Sequence, residues 1–182
     1  MKVLIVIDMQ KDFIDGALGT KEAQAILPAV VNRIEKSENE LILFTFDTHQ
    51  EDYLVTTEGK KLPVIHCVEN SEGWQFDAGI LNAWYQNNTT IKLENTNSHM
   101  FYKPVFGSVE LVQYLSKHAS EISEIELIGV CTDICVISNA LMIKNTLPDI
   151  KISVNSNLCA GVTPDTHDAA LKVMTMCHID VI

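Results

Sequence analysis

The stretch Ile125-Glu-Leu-Ile-Gly-Val-Cys-Thr-Asp-Ile-Cys-Val-Ile-Ser-Asn-Ala140 decides the fold. Its first part, Ile125 to Val130, is apolar and rich in β-branched residues, the pattern of a buried strand. Thr132 and Asp133 are good N-cap types, which predicts a helix starting there. Cys135 then falls in the first helical turn, at the C-terminal end of a strand. Open parallel α/β sheets place their chemistry at that end. The partial positive charge and free N–H groups of a helix start favour a thiolate over a thiol. Cys135 is therefore a candidate nucleophile. The alternative is a small buried apolar residue, the usual state of a cysteine in a reduced chain.

Working outward, Lys2 to Asp8 is another continuous apolar run, ending in an acid. Continuous apolarity suits a parallel strand covered on both faces. Helical spacing follows over Lys21 to Lys36, with Pro28 as a start or bend. Leu41 to Phe46 is a second buried strand, ending at Asp47-Thr-His49. Residues 50 to 76 form a long polar segment, and a loop of that length in a compact domain is usually functional or mobile. Ile80 to Gln86 reads as a short helix, Thr89 to Leu93 as a third strand, and Glu94 to Phe106 as a loop. Ser108 to His118 is helical. Ile150 to Val154 is a fifth strand, Asn155 to Thr163 a loop, Pro164 to Cys177 a helix and Ile179 to Ile182 a last strand.

Strands alternating with helices give a parallel sheet with right-handed crossovers. The expected fold is a single α/β domain over residues 1–182, a Rossmann-like three-layer sandwich. Its six-stranded, mainly parallel sheet has order 3-2-1-4-5-6, with helices on both faces. Asp8 and Cys135 then face each other across the switch point between the first and fourth strands.

A chain of 182 residues suits one domain with a sizeable core. The N-terminal apolar run is too short for a membrane span and no cleavage site follows it, so a cytoplasmic protein is expected. The five cysteines, Cys67, Cys131, Cys135, Cys159 and Cys177, show no C-x-x-C spacing, and an odd count without an export signal argues for reduced thiols. A net charge of −11 argues against nucleic acid or an anionic membrane as partner.

Three residues would perform acyl-transfer chemistry if the loops unite them. Cys135 would attack, Asp8 would take its proton and pass it to the leaving amine, and Lys103 would hold the acid and lower the cost of charge. Taken singly, Asp8 reads equally as a turn cap and Lys103 as a solvated surface charge.

Ile7-Asp-Met-Gln-Lys-Asp-Phe13, Phe46-Asp-Thr-His49, His66-Cys-Val68, Lys103 before Pro104, and Gly129-Val-Cys-Thr-Asp-Ile-Cys-Val136 together resemble the cysteine hydrolases of the isochorismatase-like superfamily, nicotinamidases in particular. The resemblance covers nearly the whole chain. It implies a Cys135–Asp8–Lys103 triad, a cis peptide at Val130–Cys131, and an oxyanion hole made by the backbone N–H groups of Cys131 and Cys135. It also implies a metal site at Asp47, His49 and His66, with Glu58 as a further acidic ligand. The ion would be Zn²⁺, with Fe²⁺ or Mn²⁺ as alternatives, and no organic cofactor is implied. Otherwise His66 is a core or loop histidine and Asp47 a turn cap.

By the same match Phe13 would line the substrate ring pocket, beside Val130. Trp74 and Phe106 are further wall candidates, and His99 reads as solvated. The chain departs from the family at Gln50, where Pro is frequent, at Pro63, where an aromatic is frequent, and in the Gln50–Lys61 insert with Tyr53. The expected activity is hydrolysis of a small amide, nicotinamide to nicotinic acid and ammonia, by a homo-oligomer. A relative acting on another small amide or a ureido acid is the second expectation. A non-catalytic binding protein on the same fold is the third.

Overall fold

A computed structural model describes residues 1–93 and 96–182. Six strands form the sheet: β1 (Lys2–Ile7), β2 (Glu40–Asp47), β3 (Met100–Lys103), β4 (Glu124–Val130), β5 (Lys151–Ala160) and β6 (Asp180–Val181). Their order is β3-β2-β1-β4-β5-β6. Every pairing is parallel. The expected order is therefore found, and "mainly parallel" becomes wholly parallel.

The helices are α1 (Lys11–Ile14), α2 (Lys21–Glu35), α3 (Ala78–Gln86), α4 (Val109–Lys117), α5 (Ile137–Thr146) and α6 (Pro164–Met176). They divide between the two sheet faces. Alternate residues of β1 explain why. Val3, Ile5 and Ile7 pack with α4, α5 and α6, whereas Leu4 and Val6 pack with α2 and α3. Each central strand is buried on both sides, which is what its continuous apolar sequence requires. No helix among the described residues is long and apolar enough to cross a membrane.

Local chemistry sets the helix starts. Thr20 accepts from the Ala23 N–H, Asp77 from Gly79, Ser108 from Leu111 and Thr163 from Thr166. Pro28 lies inside α2 without ending it.

Three expectations need correction. The third strand is Met100–Lys103, not Thr89–Leu93; the latter contributes only a bridge between Ile91 and Leu41. The expected loop over Glu94–Phe106 is accordingly interrupted by β3, while Glu94 and Asn95 lie outside the described residues. As an edge strand, β3 buries Phe101 and Lys103 and exposes Tyr102, so it lacks the continuous apolar run that marks β1 and β4.

The fifth strand runs on to Ala160, through most of the expected Asn155–Thr163 loop. Its pairing with β4 shifts register between Leu127 and Gly129. There Asn155 bonds the Glu126 carboxylate and Ser156 bonds the Ile182 carbonyl, so polar residues sit within the strand.

Thr132 and Asp133 do not cap a helix. The chain after β4 makes a wide π-type turn over Thr132–Val136, closed by Val136 N–H to the Cys131 carbonyl at 3.0 Å. Thr132 instead hydrogen-bonds His167 at 2.8 Å, and the Asp133 carboxylate accepts the Val162 N–H.

Candidate active site and metal centre

Four neighbouring parallel strands end together, and each delivers one group. Asp8 follows β1, Asp47 ends β2, Lys103 ends β3, and the Cys131–Cys135 turn follows β4. Asp47 and Lys103 are register partners across β2 and β3, as are Ile7 and Gly129 across β1 and β4. Gly129 has φ +118, and a Cβ there would lie 2.2 Å from the Ile7 carbonyl oxygen. Only glycine lets β4 approach β1 this closely beside the site.

Lys103 is the hub. Its side chain is 1% exposed, and its ammonium lies 2.7 Å from Asp8 Oδ2, 3.2 Å from Asp47 Oδ1 and 3.5 Å from Cys135 Sγ. Burial alone would lower its pKa, but Asp8, Cys135 and Asp47 outweigh that and hold the ammonium charged. Asp8 is fully buried, with a positive φ of 46, and its Oδ1 accepts a 2.7 Å bond from the Thr45 hydroxyl. Burial raises the Asp8 carboxyl despite Lys103.

Burial also pushes the Cys135 thiol well above its ordinary value, against the pull of Lys103 and with Asp8 and Asp47 adding to the rise. The expected preference for a thiolate is thus reversed. Desolvation and two carboxylates exceed what a helix start supplies.

The Val130–Cys131 peptide is cis. Among the described residues, neither the Cys131 nor the Cys135 N–H has a backbone partner beyond its own element or a side-chain acceptor.

Beside this hub, Asp47, His49 and His66 form a buried group whose donor atoms all lie within 4.8 Å of one another. Asp47 Oδ2 is 3.1 Å from His49 Nε2 and 3.4 Å from His66 Nε2. The His49 contact is not aligned as a hydrogen bond, and its Nε2 is a buried atom without a partner among the described residues. His66 Nδ1 bonds the Val64 carbonyl at 2.8 Å, which turns Nε2 toward the group. Glu58 Oε1 stands 3.9 Å from His49 Nε2.

Burial raises the Asp47 carboxyl, but the close His49 and His66 rings, and the Lys103 charge, reverse this and hold it far below the usual range. Burial lowers His66, but Asp47 and the Val64 carbonyl more than compensate, so the ring attracts positive charge. Two imidazoles and a carboxylate fit a divalent ion of borderline softness, and the partnerless Nε2 is the atom such an ion would satisfy.

A cavity of about 320 Å³ touches both groups. Phe13, Phe106, Cys131, Cys135, Asp47 and His66 all line it. A second hollow of about 720 Å³, which His49 also lines, adjoins it through Glu58, Leu62, Phe106 and Ile134. It is walled largely by the 50–62 segment, whose Tyr53 ring lies 4.5 Å from that of His49 and 4.9 Å from that of His66.

Two wall candidates lie elsewhere. Val130 is 1% exposed and packs in the core beneath the site. Trp74 lines a separate surface groove, stacks on Tyr102 and donates its indole N–H to Thr48. His99 is not solvated; it is 1% exposed, bridging the Ile42 carbonyl and the Leu93 N–H.

Sequence reasoning passed over two polar supports. Thr45 lies two residues before Asp47 on β2, so strand periodicity puts them on one face. Asn139 lies four residues after Cys135, at helical spacing. It donates to the Cys135 carbonyl at 2.8 Å and accepts the Ser108 N–H at 2.9 Å, tying the cysteine turn to the segment after β3.

The sequence matches the isochorismatase domain over residues 2–182. It is 25% identical to the nicotinamidase/pyrazinamidase of Mycobacterium tuberculosis, with 100% of this chain and 98% of that protein aligned. It is 24% identical to the nicotinamidase of Schizosaccharomyces pombe, over 98% and 91% of the two chains. The pyrazinamidase of Pyrococcus horikoshii, solved in complex with zinc, superposes with a TM-score of 0.75 at 24% identity, covering 100% of this chain and 98% of that one. The pyrazinamidase/nicotinamidase of Streptococcus mutans gives 0.78 at 24% identity, with both chains fully covered. With the domain pattern running from Lys2 to Ile182 and the same fold matched end to end, this chain belongs to the isochorismatase family of hydrolases.

Proposed function

We propose that this chain is a cysteine amidase that converts nicotinamide to nicotinic acid and ammonia. The observation that carries the reading is the single buried Lys103 ammonium in contact with Asp8, Asp47 and Cys135. That contact couples an acid–base group, a thiol and a metal-type cluster at one cavity wall.

In the proposed reaction the Cys135 thiol passes its proton to Asp8 as its sulfur attacks the amide carbon. The raised thiol pKa means that this transfer accompanies attack rather than preceding it. The N–H groups of Cys131 and Cys135 receive the oxyanion. Asp8 then delivers the proton to the departing nitrogen, leaving a thioester and ammonia. A water that gives a proton to Asp8 attacks the thioester, releasing the acid and restoring the thiol. Lys103 keeps its charge throughout and steadies the carboxylate between the two proton transfers. Phe13 and Phe106 would flank the ring.

Asp47, His49 and His66, with Glu58 beside them, would hold a divalent ion, Zn²⁺ above all. When bound, that ion would supply a ligand site for the pyridine nitrogen and so orient the ring. A zinc complex of a structurally similar pyrazinamidase supports this choice of ion. The protein would work in a cytoplasmic setting as a homo-oligomer. The hollow walled by residues 50–62 favours, as a second reading, a different and larger amide on the same machinery.

Ammonia release from nicotinamide tests the proposal, with wild type measured beside Cys135→Ala and a metal-stripped sample. Turnover that requires both Cys135 and metal is expected, with Cys135→Ala folded and inactive. Turnover retained by Cys135→Ala would sink the mechanism. Absence of turnover with a reactive Cys135 would keep the amidase and discard nicotinamide. A Cys135 that stays inert to alkylation even well above neutral pH would favour a binding protein.

A further inference from the structure

The segment after β1 carries two polar side chains, Gln10 and Asp12, that the reaction does not use. Gln10 is fully buried. Its Oε1 accepts the Asp47 N–H at 2.8 Å, and its Nε2 donates to the Asp47 carbonyl at 2.9 Å and to the Trp74 carbonyl at 2.8 Å. One amide therefore grips both backbone groups of Asp47. Asp12 Oδ2 accepts the Cys67 N–H at 2.7 Å. The Cys67 carbonyl in turn accepts the His49 N–H at 2.9 Å, and His66 is the residue before Cys67. Cys67 adopts a positive φ of 44, so this short path depends on an uncommon backbone conformation. The segment also clamps the far end of the long loop, through Lys11 N–H to the Gln75 carbonyl and Asp12 N–H to the Gly73 carbonyl.

We infer that Gln10 and Asp12 are positioning residues that set the spacing of Asp47, His49 and His66 for a divalent ion. The inference rests on the metal reading of that cluster. Its physical basis is simple. The three ligands come from a strand end and an irregular loop, and a loop does not by itself hold donors to the tolerance a metal requires. Gln10 fixes the strand ligand. Asp12 fixes the residue that joins the two histidines. Neither side chain belongs to the donor cluster and both bond backbone groups, so both would act through the backbone.

The test is Co²⁺ titration followed by its visible absorption, with Zn²⁺ affinity measured by competition. Wild type is compared with Gln10→Leu, Asp12→Ala and Asp12→Asn, and urea stability is measured in parallel without metal. The expected result is a loss of affinity of about 10–100-fold for Gln10→Leu and Asp12→Ala. Asp12→Asn, which keeps one carbonyl acceptor for the Cys67 N–H, should fall between Asp12→Ala and wild type. A change in the Co²⁺ band should accompany the weaker sites. Variants that lose stability yet bind Co²⁺ and Zn²⁺ like wild type would overturn the inference and leave the metal reading standing. Wild type that takes up neither ion would overturn the metal reading itself. If Gln10→Leu does not fold, the order of wild type, Asp12→Asn and Asp12→Ala still decides.

Discussion

Replacing Lys103 with Met probes the centre of the site most directly. Methionine keeps the length of the chain and removes the ammonium. Lys103 is 1% exposed and lies against Asp8, itself fully buried, and Asp47. Removing one member of such a buried group leaves carboxylates without their cation and costs about 3–5 kcal/mol. For a chain of this size that is a fall in Tm of about 6–20 °C.

The loss should also depend on pH, and the sign follows from the two carboxyls. Burial raises Asp8 and Lys103 opposes the rise, so the variant raises Asp8 further. A carboxyl raised in the folded state favours folding while it holds its proton and loses that contribution as pH climbs through its folded value. Asp47 is held low with help from Lys103, and that help is worth most above the unfolded carboxylate pKa of about 3.9. Both effects make the deficit of Lys103→Met small in acid and large near neutrality. Urea unfolding of chelator-treated wild type and variant in acid and at neutral pH measures it. An unchanged midpoint at neutral pH, or a deficit that does not shrink on acidification, would refute the reasoning. Adding Asp8→Asn to the variant should recover part of the loss.

Three further outcomes are expected. Alkylation of Cys135 in the ligand-free protein, followed by mass spectrometry, should accelerate as pH rises well past neutrality, because burial keeps the thiol protonated; fast alkylation independent of pH would mean a preformed thiolate. Gly129→Ala forces a Cβ against the Ile7 carbonyl at a φ that alanine disfavours, and should cost about 3 kcal/mol or more, seen as poor soluble yield or an early urea midpoint; wild-type stability would contradict the close approach of β4 to β1. His99→Leu removes a bridge between two buried backbone groups and should cost about 1–3 kcal/mol, with little change in Cys135 reactivity; a solvent-facing histidine would show no such loss.

The sheet was legible in the sequence because its central strands advertise themselves. Val3–Ile7 and Leu127–Val130 are apolar or glycine at consecutive positions, and only a strand covered on both faces needs that. Alternation with helical patterns then leaves few topologies, and the strand order followed. A strand end was therefore also a legible address for Asp8 and Cys135.

What stayed hidden involves residues whose partners are distant along the chain. Met100–Lys103 pairs only on one side and ends in a buried lysine, so its pattern mimics a surface loop. Its identity as a strand comes from its register with Phe44–Asp47. Thr132 and Asp133 have good capping side chains, but His167 and Val162 claim them. Trp74 and His99 both depart from their expected settings for the same reason: which aromatic is buried, and against what, depends on the layer packed above it. The proton state of Cys135 is the clearest case. A helix start favours a thiolate locally, while the tertiary structure removes water and sets two carboxylates nearby. Sequence placed Asp8, Asp47 and the Cys131–Cys135 turn at strand ends, because periodicity is local. Only the tertiary structure decided their mutual distances and charges, because desolvation and Coulomb interactions act between segments that the chain order keeps apart.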